Sequence, residues 1–216
     1  MLFPIGDDNS SERTVPVVTY ALIALNVLFF FVEMNGGEPF IEHWSVVPRR
    51  LIAHPGSDFP TIFTSMFMHA GWLHLGGNML YLWIFGDNVE DALGHLKFLV
   101  FYLLCGIAAS VAQVMVSPNS NVPNLGASGA IAGVLAAYIV MFPKDKVRVF
   151  MGGAILPMNA FIVIGLWFVM QLFSGVGSLS DKAGGGGVAY FAHIGGFVAG
   201  LILTFILRGR QAPASV

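Results

Sequence analysis

Charge is what this sequence has least of: Asp, Glu, Lys and Arg make up only 10% of its 216 residues, against 56% hydrophobic ones. A water-soluble domain of this size has too much surface to cover with so few charges. The composition therefore excludes an ordinary soluble globule and predicts a polytopic membrane protein of one domain. Cysteine is nearly missing as well. Cys105 stands alone inside an apolar stretch, which rules out an intramolecular disulfide and a cysteine-based metal cluster. With a net charge of −2 and no basic run or stripe, no nucleic-acid partner is expected. A basic leader is also absent. The first fifteen residues include Asp7, Asp8, Glu12 and Arg13, and no small-x-small cleavage signal follows the first apolar run, so that run is expected to remain as a span.

What is present is apolar length. A helix needs about 20 apolar residues to cross the roughly 30 Å hydrocarbon core. Five runs approach this: Pro16–Met34, Trp72–Phe85 with its flanks, Phe98–Val116, Ala154–Phe173 and Val188–Leu207. A sixth, Ser128–Phe142, is apolar but short. The expected fold class is an all-α membrane protein of six transmembrane helices with a short, submerged fourth. Residues 16–207 form the domain, between cytoplasmic segments 1–15 and 208–216. The long connection Asn35–Gly71 holds pieces such as Val46–Ala53 that are too short to cross and belong at the interface. Gly184–Gly187 makes another connection flexible, and Ser174–Gly187 reads as a mobile flap.

Positive charge orients the bundle. With an even number of spans, Arg13, Lys97, Lys144, Lys146, Arg148, Arg208 and Arg210 share the side of both termini, while Arg49, Arg50 and Lys182 lie opposite. That asymmetry predicts both termini in the cytoplasm.

Polar side chains at membrane depth are costly and normally face the bundle interior, which makes each a functional candidate. Four stand out: His74 and Asn78 in the second span, Ser128 opening the fourth, and His193 in the sixth. At 1.5 Å per residue, Ser128, His193 and His74 lie about 20–21 Å above the cytoplasmic ends of their helices. Three helices thus bring polar groups to one level. Gly129 and Gly133 are four apart, while Gly196 and Gly200 follow His193 on its own face. Small-xxx-small faces let membrane helices approach closely, so packing of these faces would bring Ser128 within reach of His193. His74 and Asn78, at i and i+4, share a face as well.

These residue types suit acyl transfer. A serine hydroxyl needs an imidazole to take its proton, and the developing oxyanion needs donors. The Asn78 amide, the His74 imidazole and the Ser128 backbone N–H at a helix start can supply them. No Asp or Glu falls within the second, fourth or sixth apolar run, so a Ser/His dyad is the economical reading.

Four motifs, in order, then resemble the rhomboid family. Gly126-Ala127-Ser128-Gly129 is similar to its GxSG, and Ala192-His193-Ile194-Gly195-Gly196, continuing to Gly200, to its AHxxGxxxG. His69, His74 and Asn78 resemble its His-x4-His-x3-Asn pattern, and Gly86–Gly94, with Glu90 at its centre, its GxxxExxxG. The resemblance implies six helices, a water-filled cavity open to the outer side, and cleavage of peptide bonds in or near substrate transmembrane segments. It implies no metal and no organic cofactor. Substrates would be membrane proteins entering sideways from lipid as the flap and fifth helix move.

Two departures accompany it. The Trp-Arg pair that often precedes the second helix is replaced by Phe59-Pro60-Thr61. The position four after the serine, aromatic in some members and stacked on the imidazole, is Ala132; Tyr190 and Phe191 are near His193 in sequence only. His69 reads as structural, binding water or loop backbone near the outer surface, and Glu90 as a carboxylate tying helices. Trp83, Trp167 and Phe168 read as lipid-facing or core. His74 and Asn78 would also suit interhelical hydrogen bonding. Two other classes stay open: a rhomboid-like protein that binds membrane clients without cutting them, and a b-type cytochrome using His74 and His193 as axial ligands.

Overall fold

A computed structural model describes residues 3–7, 14–178 and 189–208. Most of the Ser174–Gly187 flap, the residues 209–216, Asp8 and Glu12 of the N-terminal segment, and Arg13, Lys182 and Arg210 of the charge count lie outside the described residues. In chain order the elements are β1 (Phe3–Gly6), α1 (Val17–Trp44), three short helices α2 (Pro48–Ala53), α3 (Pro55–Asp58) and α4 (Thr61–Thr64), and a 3₁₀ turn (Ser65–Phe67). Then follow α5 (Trp72–Leu93), α6 (His95–Val116), α7 (Ser128–Met141), β2 (Lys146–Met151), β3 (Ala154–Asn159), α8 (Ala160–Ser178) and α9 (Tyr190–Leu207).

Among the described residues, α1, α6, α8 and α9 are long and apolar enough to cross a membrane. α5 has 22 residues, but Asn78 and the acidic segment Asp87–Asp91 dilute its apolar character. α7, with 14 residues, is short, and every residue from Gly129 to Tyr138 is buried. A helix apolar all round belongs in the middle of a bundle, and α7 packs there against α5, α6 and α9.

Three boundaries differ from the sequence expectation. The helical fold also carries a small sheet: β1, β2 and β3 pair antiparallel in the order β1-β2-β3. Lys146-Val147-Arg148-Val149 alternates exposed and buried, the period of a strand. Ala154–Asn159, read as the start of the fifth span, is instead the returning strand. It pairs from Met151↔Ala154 to Lys146↔Asn159, with the chain turning at Gly152 and Gly153. α1 runs past Met34 to Trp44, broken at Gly37, whose φ of 62° only glycine adopts readily, and Pro39 follows inside the same helix. α5 continues beyond Phe85 through Asp87 and Glu90, at the end of the helix remote from His74.

α7 and α9 meet backbone to backbone. A Cβ on Gly196 would overlap the carbonyl oxygen of Gly129, and one on Gly200 would stand 2.5 Å from the Gly133 Cα. Cβ atoms on Gly129 and Gly133 would collide in turn with Ala109 and Cys105 of α6. At the other end of the bundle the fully buried Glu90 carboxylate accepts the N–H groups of Val18 (2.9 Å) and Thr19 (2.7 Å) and the Thr19 hydroxyl (2.7 Å). The first turn of any helix has N–H groups without internal partners, and here a neighbouring helix supplies the acceptor, which also meets His95 Nδ1 at 2.6 Å.

The segment before α5 is anchored without a Trp-Arg pair. The Arg50 guanidinium donates to the Asp58 carboxylate and the Glu42 carbonyl, and to the carbonyls of Ser45 (2.9 Å) and His43 (3.2 Å). Val46 and Asn124 exchange backbone hydrogen bonds (3.1 and 2.8 Å), and Gly126 N–H reaches the Ser65 carbonyl at 2.8 Å. These bonds stitch the α2–α4 region to the loop that delivers Ser128.

Candidate active site

Ser128 is the first residue of α7, and no side chain caps that helix. Its first-turn N–H groups therefore point, unpartnered within the helix, towards the end where the serine sits. His193 lies on α9 opposite. The glycine seam brings the two together: His193 Nε2 is 2.8 Å from Ser128 Oγ. His193 is 8% exposed and Ser128 is half-buried.

Both line a cavity of about 720 Å³ together with His74, Asn78, Tyr81, Asn124 and Trp167. Asn78 is buried, and its Nδ2 has no hydrogen-bond partner among the described residues. A buried amide donor without a partner is costly; this one borders the same cavity as the serine. His74 Nδ1 accepts the Ala70 N–H at 3.3 Å, so in the neutral imidazole Nε2 carries the proton. That Nε2 lies beside Gly126. A Cβ there would be 2.9 Å from it, and the Gly126 φ of 128° is a second reason for glycine.

Two further residues lie close to the site. His69 is 1% exposed. Its ring packs edge-on against His74 with centroids 5.1 Å apart, and its backbone N–H donates to the Glu33 carboxylate at 2.9 Å. Trp167 packs against the hydrophobic core and also borders the cavity, with its ring centroid 5.7 Å from that of His193 and a tilt of 37°.

The sequence reading passed over two glutamines. Gln171, on α8, places Oε1 2.8 Å from His193 Nδ1. Gln113, on α6, accepts the Ala192 N–H at 3.2 Å, supporting the start of α9. The signal was there, since both are polar residues inside apolar runs, the criterion that singled out His74 and Asn78. Ala132 is buried, and the residues against the imidazole are Gln171 and Trp167.

Comparison with known proteins agrees with the motifs. A family model for the rhomboid domain matches residues 57–210. The chain is 33% identical over 203 residues to Rhomboid protease GluP of Bacillus subtilis (strain 168), covering 92% of this chain and 36% of that protein. It is 28% identical over 189 residues to Rhomboid-like protein 11, chloroplastic, of Arabidopsis thaliana (84% of this chain, 65% of that protein). To the Putative rhomboid protease YdcA of Bacillus subtilis (strain 168) it is 27% identical over 196 residues, covering 90% and 89%. The chain thus spans about a third of GluP and just under two thirds of the chloroplast protein. It belongs to the rhomboid family, and its apolar helices make it an integral membrane protein.

Proposed function

We propose that this protein is an intramembrane serine endopeptidase that hydrolyses peptide bonds in or near transmembrane segments of membrane-protein substrates. The observation that carries this reading is the 2.8 Å approach of His193 Nε2 to Ser128 Oγ. In the proposed reaction Nε2 takes the hydroxyl proton as Oγ attacks the scissile carbonyl, then passes it to the leaving amine. Water deacylates the enzyme by the same route. The Asn78 amide, the His74 Nε2–H and the Ser128 backbone N–H form the oxyanion hole. An unpartnered donor bordering the cavity is what such a hole requires, because it needs no reorganisation when charge develops.

The domain proposed is residues 16–207, with α1, α5, α6, α7, α8 and α9 as six membrane helices and α7 submerged. The protein sits in the plasma membrane with residues 1–15 and 208–216 on the cytoplasmic side, and the cavity opens to the outer side. Substrates enter laterally from lipid. The names of the relatives and the residues retained at both dyad positions favour an active protease over a client-binding relative that has lost cleavage. An axial-ligand role would require His193 to release Ser128 or Gln171, since both its ring nitrogens are engaged. The reaction needs no metal or organic cofactor.

The test is cleavage of a reconstituted transmembrane substrate, together with labelling by a serine-directed fluorophosphonate. Wild type should cleave and be labelled, and Ser128→Ala should do neither. Robust cleavage by folded Ser128→Ala would overturn the proposal.

A further inference from the structure

The dyad leaves one question: what holds His193 in the form of a base. A neutral imidazole carries one N–H and one bare nitrogen, and only the bare nitrogen can take a proton. For His193 to act on Ser128, Nε2 must be bare and Nδ1 must hold the hydrogen. Serine cannot enforce this, because a hydroxyl can donate to a bare Nε2 or accept from a protonated one.

We propose that Gln171 is a positioning residue: its Oε1 accepts a hydrogen bond from His193 Nδ1–H and so fixes the tautomer in which Nε2 faces Ser128 unprotonated. The inference rests on the proposed roles of Ser128 and His193. Ser128, His193 and Gln171 form one chain across three helices, with Oγ to Nε2 at 2.8 Å and Nδ1 to Oε1 at 2.8 Å. An amide oxygen can only accept, so a hydrogen on Nδ1 satisfies both partners. Were the amide turned over, its NH₂ would donate to Nδ1, and Nε2 would carry the proton, the wrong form for a base. Trp167, one turn before Gln171 on α8, lies against the same ring and limits its rotation.

The surroundings explain why an amide serves here. Among the described residues, the titratable groups that border the cavity with His193 are His74 and Tyr81, and no carboxylate lines it. A carboxylate in the Gln171 position would have to give up part of its hydration. An amide orients the ring without burying a charge, doing part of the work of the acid in a Ser-His-Asp triad. It also fills the role that an aromatic four residues after the serine cannot fill here, since Ala132 stands there.

The test reads the ring directly. In uniformly ¹⁵N-histidine-labelled full-length protein, with the His193 signals identified by their loss in His193→Asn, wild type should show a protonated Nδ1 and a bare Nε2. Gln171→Leu should mix the tautomers and lower kcat about 10²-fold, the low end of a positioned general base's contribution, with KM little changed. Gln171→Glu should restore most of the rate and move the acid limb of the pH–rate profile to higher pH, because a carboxylate at Nδ1 favours the imidazolium. A bare Nδ1 in wild type would overturn the proposal. So would a Gln171→Leu spectrum unchanged from wild type, or a Gln171→Glu profile that does not move. The spectra need no turnover: if they come out as expected while Ser128→Ala still cleaves, the nucleophile assignment fails and the tautomer assignment stands.

Discussion

The carbonyl oxygen of Gly129 occupies the space that a β-carbon on Gly196 would need. Ser128 directly precedes the first of these glycines, and His193 lies three residues before the second. The separation of hydroxyl and imidazole is therefore set by two backbones in contact, with no side chain between them to act as a compressible spacer.

Gly196→Ala should accordingly be among the most damaging single changes. Its β-carbon meets backbone, which cannot rotate away, so α7 and α9 must separate. We expect a large fall in thermal midpoint and loss of fluorophosphonate labelling. Gly76→Ala is the matched control, because a Cβ at Gly76 has nothing within 4 Å. It should leave the midpoint unchanged or slightly raised.

Division of labour in the cavity gives a second expectation. His193→Ala should abolish cleavage nearly as completely as Ser128→Ala, since an unactivated hydroxyl attacks slowly. Asn78→Ala and His74→Ala should each cost about 10²–10³ in rate, the usual worth of one oxyanion donor. The double change Ser128→Ala with His193→Ala should match either single one. Purified folded variants assayed on one substrate check all of these, and a chelator should leave the wild-type rate unchanged.

Glu90 offers a third, this time on stability. Glu90→Ala strands two N–H groups and a hydroxyl at the start of α1. Each buried orphan costs about 1–3 kcal/mol. The thermal midpoint should drop markedly, while the rate per folded molecule stays close to wild type, because Glu90 lies at the end of α5 remote from the cavity. Equal losses in rate and midpoint would show that α1 reports to the site.

A fourth concerns orientation. Cysteines placed at the exposed Glu38, beyond the break in α1, and at the exposed Met151, beside the strand turn, can be labelled on intact cells with an impermeant thiol reagent in a Cys105→Ala background. The positive charge on Lys144, Lys146, Arg148 and Lys97 predicts labelling at Glu38→Cys and none at Met151→Cys. The reverse pattern would turn the protein over.

The placement of helices was largely legible because lipid leaves few alternatives: apolar runs of sufficient length must be helices. The seam was legible from Gly129, Gly133, Gly196 and Gly200, because a period of three to four needs no tertiary knowledge. Ala154–Asn159 was misread because an apolar run has the same appearance in a strand and at a helix start. Pro157, which a helix interior tolerates poorly, was the warning. The end of α1 was misread for the opposite reason: Gly36, Gly37 and Pro39 signal a stop, yet helix resumes beyond the break. Gln171, a polar residue inside an apolar run, carried the same signal as Asn78, but spacing along one helix could not name its partner on the next.

The hairpin beneath α8 has a mechanical consequence. β3 runs directly into α8, the Ala160 N–H is held by the Asp145 carbonyl at 2.9 Å, and β1 adds the segment preceding α1 to the same sheet. The helix is thus held at one end, so any tilt would pivot near Ala160. Gln171 is eleven residues along it, or about 16 Å at 1.5 Å per residue. A tilt of about 10° would carry that point about 3 Å sideways, more than a hydrogen bond can stretch. An α8 tilted away from α9 would carry Gln171 off the His193 ring, so a widened cavity and a held imidazole would exclude one another.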